Sequence, residues 1–228
     1  VSATTNNTGM GRLVTSFDNG NCKPDGVSDC TAAFQEGIEH CLAENTALLI
    51  PSGEFLINQT LQVSIADGSL VLRGEGKYIS KVRASQDSGM ESIFNISYTA
   101  PKYHESTNVE FTDFELLVGD ANYGIYSALI TRSYFNRLSF FGGKVAGMYI
   151  NGWINVVDQC SFGGAIGQGL LLPGNNVIVQ ASSFEGNAGH GIVVPWGNQV
   201  SVVNTVIEGN RGVGIWAARC RGCAIRST

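Results

Sequence analysis

The stretch "SFEGNAGHGIVV", Ser183–Val194, is followed 23 residues later by "VIEGNRGVGIWA", Val206–Ala217. Both copies place glycine, asparagine and a short apolar run at matching positions. Internal repetition with a period of roughly 20–50 residues is typical of solenoids, because each unit buries its apolar side only against its neighbours. The two similar stretches therefore predict a stacked, repetitive fold.

The repeat extends upstream through five units. A glycine followed by an apolar residue recurs at spacings of 23, 22, 22 and 23 residues: Gly124-Ile125, Gly147-Met148, Gly169-Leu170, Gly191-Ile192 and Gly214-Ile215. A large apolar residue stands seven positions before each glycine: Leu117, Phe140, Phe162, Phe184 and Ile207. In the same register, further upstream, stand Thr112, Phe135, Val157, Val179 and Val202.

Each unit consists of short alternating segments broken by glycine and asparagine, without a helical period. Stacked units would place neighbouring strands about 4.8 Å apart. Asn187 and Asn210 would then occupy equivalent turns, with their amides hydrogen-bonded along the axis. The sequence predicts an all-β, right-handed, single-stranded parallel β-helix with coils of 22–23 residues. A β-sandwich is the alternative, which the fixed register disfavours.

The N-terminal region has a different pattern. In "DCTAAFQEGIEHCL", Asp29–Leu42, apolar residues recur at helical spacing, and Asp29 is in a position to cap the helix. Such a helix would cover the open end of the solenoid. We therefore expect residues 1–45 to form an arm and capping helix, and residues 46–228 to form the coils. The other end shows no comparable cap, so we expect a truncated end or one covered by another subunit.

Charge and composition limit the classes of partner. Charged residues make up 14% of the 228 residues and the formal net charge is −5, without a cluster of lysine and arginine. Nucleic acid and anionic membrane surfaces are therefore not expected partners. The sequence also holds no apolar run approaching the roughly 20 residues that a membrane span requires.

Cysteines and sequons indicate a secreted glycoprotein. Asn-x-Ser/Thr sequons stand at Asn6, Asn58 and Asn95. The cysteines are even in number and are all disulfide candidates, with open connectivity: Cys22, Cys30, Cys41, Cys160, Cys220 and Cys223. They do not have the close four-ligand spacing of a zinc site, so no metal is expected.

The opening of the chain resembles a known group of β-helix proteins. "DGVSDCTAAFQ", Asp25–Gln35, is similar to the "GDGVTDDTAAIQ" opening of the pectate-lyase superfamily. "LLIPSGEFLI", Leu48–Ile57, is similar to that group's V-x-P-x-G-x-Y-x-I strand. The chain departs from the pattern with Lys23-Pro24 where a glycine is usual, and with Cys30 where the second aspartate is usual, which suggests a disulfide in place of a capping carboxylate.

The resemblance implies a secreted β-helix whose relatives include polygalacturonases, exo-β-1,3-glucanases, polysaccharide lyases and phage tailspikes. Polygalacturonases carry a Gly-His-Gly, and Gly189-His190-Gly191 matches it, which implies a catalytic role for His190. The repeat offers another explanation, since Gly167-Gln168-Gly169 and Gly212-Val213-Gly214 occupy the same slot. The Asn-x-Asp, Asp-Asp and Arg-x-Lys elements of polygalacturonases have no convincing counterparts, so we expect His190 to be a repeat position.

Two carboxylate pairs follow from the inferred register. Asp113, Asn136, Asp158 and Gln180 would share one outward column, which puts Asp113 and Asp158 roughly 9–10 Å apart, near the upper limit for an inverting acid and base. Glu185 and Glu208 would lie about 5 Å apart, which suits a retaining pair or a cation site. Outward positions of a solenoid must also carry soluble residues, so both pairs have a purely structural explanation. No cofactor is expected, apart from Ca²⁺ if the protein is a lyase.

Aromatic residues form a further candidate column. Two residues after each repeat glycine, facing outward, stand Tyr126, Tyr149, Leu171, Val193 and Trp216. With Trp196 and Trp153 near the coil corners, this strip would stack sugar rings or dock a partner. A loop or the N-terminal arm covering the strip is the competing explanation.

These features favour a secreted β-helix that binds or cleaves a polysaccharide, with hydrolysis preferred over β-elimination. Its partners would be a polysaccharide and, at the C-terminal end, itself or a covering subunit. The alternative is a non-catalytic structural or adhesive module of a larger extracellular or filamentous assembly. Whether the chain is an enzyme stays open at this point.

Overall fold

A computed structural model describes residues 11–66, 69–86, 88–99 and 108–226. It contains helix α1, Thr31–Glu44, after two single 3-10 turns at Val14–Ser16 and Asp18–Gly20. The strands are, in chain order, β1 Arg12–Leu13, β2 Asp25–Asp29, β3 Ala47–Ile50, β4 Gly53–Ile57, β5 Leu61–Ile65, β6 Ser69–Gly74, β7 Ser80–Ala84, β8 Ser92–Tyr98, β9 Asn108–Thr112, β10 Glu115–Gly119, β11 Tyr123–Thr131, β12 Tyr134–Asn136, β13 Ser139–Gly142, β14 Ala146–Trp153, β15 Val156–Asp158, β16 Ser161–Gly163, β17 Gln168–Leu171, β18 Gly174–Asn175, β19 Ile178–Gln180, β20 Ser183–Glu185, β21 Ile192–Asn198, β22 Ser201–Val203, β23 Val206–Glu208, β24 Ile215–Arg221 and β25 Ala224–Arg226.

The strands form three parallel sheets that run the length of the molecule. Sheet A is ordered β1-β3-β6-β9-β12-β15-β19-β22-β25, and sheet B is ordered β2-β4-β7-β10-β13-β16-β20-β23. Sheet C contains β5, β8, β11, β14, β17, β18, β21 and β24. Successive coils therefore contribute a strand to each sheet, except that α1 replaces the sheet C strand of the first coil and that β17 and β18 together fill one coil's place in sheet C. The predicted parallel β-helix is confirmed.

The interior is a set of like-with-like columns. The rings of Phe140, Phe162 and Phe184 stack with centroids 4.6 Å apart and planes within 4° of parallel. Asn187 is fully buried at a turn, and its Nδ2 donates to Asn210 Oδ1 at 2.8 Å. The predicted phenylalanine stack and the amide ladder thus exist, and they fix the register of the outward-facing columns.

Helix α1 packs on β3, β5 and β6, with Phe34, Ile38 and Cys41 buried beneath it. The predicted N-cap is off by one residue, because Cys30 occupies that position without a side-chain cap. Asp29 instead accepts hydrogen bonds at Oδ1 from the backbone N–H and the hydroxyl of Thr31. The described helix is too short to cross a membrane.

The upstream part of the inferred register is wrong by one residue. Phe140 pairs with Leu116, not Leu117, and Phe135 pairs with Phe111, not Thr112. The cause is a bulge between Leu117 and Gly119, which adds a residue to that coil without moving the glycine column.

Two of the cysteine candidates are not paired. Cys22 is bonded to Cys30 and Cys220 to Cys223, with Cα–Cα distances of 4.6 and 5.8 Å. Cys41 and Cys160 are free and buried, which corrects their inclusion among the disulfide candidates. Burial raises the pKa of the Cys160 thiol to about 12, so this residue is an unreactive part of the core.

Candidate functional site

The outward face of sheet C carries one column of polar and aromatic side chains. Backbone pairing aligns, coil by coil, Gln62, Asn95, Tyr126, Tyr149, Leu171, Val193 and Trp216. The amide of Asn95 donates to Gln62 Oε1 at 3.1 Å. The aromatic strip inferred from the sequence therefore continues upstream as an amide pair.

Three tyrosines form the centre of this face. The rings of Tyr126 and Tyr149 are stacked, with centroids 4.6 Å apart and planes at 11°. The ring centroid of Tyr123 lies 5.3 Å from that of Tyr126 and 5.9 Å from that of Tyr149. Burial raises the pKa of Tyr123 and Tyr149. Because the two stacked rings cover one face of each other, the cluster offers its ring edges, hydroxyls and outer faces to a ligand.

Trp196 and Trp216 lie apart from the tyrosines. Val193 is buried, so the strip is interrupted before Trp216, which is 41% exposed and lies 6.4 Å from the His190 ring. Trp196 is 44% exposed and lines a cleft of about 520 Å³ with Arg219 and Arg221. The described face thus has two aromatic patches.

His190 is held by its neighbours in the repeat. Its backbone N–H donates to Gln168 Oε1 at 3.1 Å, and its Nδ1 accepts from the backbone N–H of Val213 at 2.8 Å. Gln168 and Val213 are the residues between the glycines of the adjacent coils. The ring nitrogen that faces the next coil is therefore occupied by a structural hydrogen bond.

Asp113 does not belong to the column that the sequence suggested. Thr112, not Asp113, aligns with Asn136 and Asp158 on sheet A. Asp113 follows β9 with a left-handed backbone, φ 63°, at the corner position that later coils fill with Arg137, Gln159, Ala181 and Asn204. The prediction that Asp113 and Asp158 share one column is therefore wrong, because the bulge between Leu117 and Gly119 shifts the register by one residue.

The corner between sheets A and B is strongly polar. Arg137 donates to both carboxylate oxygens of Asp113, at 2.5 and 2.6 Å, and this contact holds the pKa of Asp113 below its usual range. Asp158 Oδ2 accepts from the Tyr134 hydroxyl at 2.8 Å, and burial together with this bond raises the pKa of Tyr134 to about 12. An aspartate held ionised by arginine is unsuited to act as a general acid.

A cleft of about 390 Å³ opens at this corner, lined by Lys77, Asp113, Arg137, Gln159 and Ala181. Lys77 crosses several coils, and its Nζ donates to Ser161 Oγ on sheet B at 2.8 Å. The cleft therefore adjoins the outward face of sheet B.

Glu185 and Glu208 are adjacent in one outward column of sheet B and are both exposed. Upstream in the same column stand Phe141 and Gly163. Within the described part of the chain, no group of three or more His, Cys, Asp or Glu side chains is arranged to hold a metal ion. The two carboxylates therefore lie next to each other on the exposed face of sheet B.

The sequons lie in different settings. Asn58 is exposed, and its backbone N–H donates to Thr31 Oγ1 at 2.8 Å. Asn95 is partly exposed on sheet C beside Tyr126. Asn6 lies outside the described residues.

Sequence reasoning overlooked Phe141, Tyr123 and Lys77. Phe141 follows Phe140 in "FFGG", and an inward Phe140 in a strand requires an outward Phe141, so this signal was available. Lys77 lies outside the repeat and reaches Ser161 only through the fold.

The comparisons with known proteins agree with this architecture. The family model described as "Right handed beta helix region" matches residues 103–228, and the chain belongs to that family. No curated protein matches the sequence.

Solved structures share the fold at low identity. The Agl-KA catalytic domain is 13% identical over 99% of this chain and 48% of its own, with a TM-score of 0.75. PfbA, a surface adhesin of Streptococcus pneumoniae, is 12% identical over 86% of this chain and 56% of its own, with a TM-score of 0.66. The GH87 alpha-1,3-glucanase catalytic unit of Streptomyces thermodiastaticus is 16% identical over 99% and 48%, with a TM-score of 0.53. The chain thus spans about half the length of these structures.

Proposed function

We propose that this chain is an extracellular, polysaccharide-binding β-helix and that the outward face of sheet C holds the saccharide. The observation that carries the proposal is the tyrosine cluster of Tyr123, Tyr126 and Tyr149, which continues in register into the amides of Asn95 and Gln62. Aromatic surface next to amide donors and acceptors suits sugars, which have apolar C–H faces and hydroxyl rims.

The fold neighbours support a polysaccharide partner in general terms. One is named as a surface adhesin and another as an alpha-1,3-glucanase. The paired cysteines and the exposed sequon at Asn58 suit an extracellular, glycosylated protein. These features support the location, and the sheet C face supports the type of ligand.

Hydrolysis is the second candidate function. Glu185 and Glu208 are direct neighbours on adjacent strands, so their backbones lie about 5 Å apart. Side chains that run parallel from these positions would bring the carboxyl groups near the roughly 5–5.5 Å separation of retaining glycosidases. Both side chains are exposed, however, so the surface around them does not enclose a glycosidic bond or exclude water from it. Binding without cleavage is therefore the leading proposal.

The test is retention of the purified chain on a panel of immobilised neutral and acidic polysaccharides. Tyr149→Ala should weaken binding at least about tenfold, because it removes one ring and its hydroxyl from the proposed contact surface. Ile178→Ala is the matched control, since Ile178 is 39% exposed on the outward face of sheet A.

Failure of the wild-type chain to bind any member of the panel would contradict the proposed function. Assays for new reducing ends and for unsaturated-sugar absorbance in the same incubations decide between binding and cleavage. If reducing ends appear, Glu185→Gln and Glu208→Gln should abolish them while retention persists.

A further inference from the structure

The outward face of sheet B has a gap in an otherwise filled column. One column holds Phe141, Gly163, Glu185 and Glu208, and the adjacent column holds Ser139, Ser161 and Ser183. The position between Phe141 and Glu185 is a glycine, so this point of the surface lacks a side chain.

The backbone conformation does not require this glycine. Gly163 does not have a left-handed backbone, and a Cβ built on it would meet one neighbour, the backbone oxygen of Glu185, at a close 3.3 Å. Glycine weakens a strand, and in a strand interior it often marks a point where a ligand approaches the backbone closely. One close backbone contact is therefore all that the described fold sets against a side chain at this point.

Phe141 forms one wall of the gap. A Cβ built on the neighbouring Gly164 would lie 2.9 Å from Phe141 Cε2, so the ring lies against the backbone at that point. The side chain is nevertheless 60% exposed. One ring face is therefore available to solvent, whereas the Tyr126 and Tyr149 rings on sheet C cover each other.

Polar groups surround the other sides of the gap. Ser161 is on the same strand as Gly163 and accepts a hydrogen bond from Lys77 Nζ at 2.8 Å. Ser183 and Glu185 face the same way on the next coil. An open aromatic face with hydroxyl, ammonium and carboxylate groups beside it provides apolar contact for a pyranose ring and partners for its hydroxyls.

We propose that this gap is a second saccharide subsite, in which one uncharged hexose unit packs on Phe141 over Gly163 and hydrogen-bonds to Ser183, Glu185 and Lys77. On this face Lys81 is paired with Glu115 and Arg83 with Glu54, which leaves the exposed carboxylates of Glu185 and Glu208 facing the ammonium group of Lys77. Polyuronates are therefore repelled, and the polymer is a neutral one. The inference rests on the proposed polysaccharide binding and adds a separate surface and a substrate class.

The experiment is affinity electrophoresis of the full chain in gels that contain a neutral α-glucan, a neutral β-glucan or polygalacturonate. Phe141→Ala should weaken binding to a neutral glucan at least about tenfold, whereas Phe141→Tyr should retain it. Gly163→Val should weaken binding similarly, because the new side chain fills the gap. Its thermal midpoint should stay within about 4 °C of the wild type, because the strand preference of valine offsets the close contact of its Cβ with the Glu185 backbone oxygen.

The outcomes separate the two proposals. Wild-type affinity in Phe141→Ala and Gly163→Val, together with weakened Tyr149→Ala, would overturn the sheet B subsite and leave the sheet C proposal intact. Tighter wild-type retention by polygalacturonate than by either glucan would overturn the substrate class. Lack of retardation of the wild type in all three gels would overturn both proposals, and Ile178→Ala should bind like the wild type throughout.

Discussion

The same stacking geometry occurs inside and outside the coils. Phe162 and Phe184 in the core and Tyr126 and Tyr149 on the surface both have ring centroids 4.6 Å apart, because the coil rise fixes the spacing of any repeated ring. The phenylalanines are almost fully buried, whereas the tyrosines are only partly buried. An inward ring mainly supports the fold, and an outward ring is available for recognition.

Substitutions in inward and outward columns should have different effects. Removing an inward side chain leaves a cavity that the rigid stack cannot close. Removing an outward one leaves a solvated surface. Stability should therefore respond to inward substitutions and binding to outward ones.

The largest effect is expected for Phe162→Ala. Phe162 lies between Phe140 and Phe184, so truncation should lower the free energy of unfolding by about 3–5 kcal/mol. Urea denaturation measures the loss, with Ile178→Ala as the outward control. A loss below about 1 kcal/mol would mean that the column is not a continuous packed core.

An intermediate effect is expected for Asn187→Ala. The amide is buried, accepts from the Ala165 backbone N–H, and donates to Phe162 O and Asn210 Oδ1. Its removal leaves buried backbone groups unpaired and should cost about 1–3 kcal/mol. Hydrogen exchange should show faster opening around Ala165. Unchanged exchange there would contradict the structural role of the ladder.

The smallest effect is expected at the outward corner, for Arg137→Ala. The Asp113–Arg137 pair is partly exposed and should contribute about 0–1 kcal/mol. Because the folded pKa of Asp113 is lowered, this contribution is present above the unfolded value of about 3.9 and is lost as the pH falls through the folded value. The stability difference from the wild type should therefore shrink in acid, as urea denaturation at several pH values will show. A difference that grows in acid would contradict this assignment.

The fold was predictable because the repeat glycines are required by the stacking itself: a Cβ at Gly147 or Gly169 would lie 2.9 or 2.7 Å from a carbonyl oxygen of the next coil. The Gly124 to Gly214 series gave the coil length, and backbone pairing follows it across sheet C. The Leu117 and Thr112 assignments failed because the bulge adds one residue between sheets B and C of that coil, so positions counted back from Gly124 are shifted by one. The spacing of glycines along sheet C does not reveal an extra residue that a bulge adds to a strand of sheet B.

The candidate site was only partly predictable. The Tyr126–Tyr149 column follows from alternation within a strand, so the sequence contains it. The contact between Lys77 and Ser161 joins residues 84 positions apart, and no local pattern encodes it. The significance of Gly163 emerged only once the space above it was known.

The bulge between Leu117 and Gly119 also bears on how such chains diverge. Its extra residue shifts the sequence spacing of the strands in sheets A and B by one, yet Gly124 is aligned with the glycine column of sheet C. Insertions and deletions of single residues can thus accumulate at sheet borders while the cross-section of the cylinder is conserved. Homologues should therefore vary in coil length first at these borders, and sequence alignment across them will be less dependable than alignment within each strand.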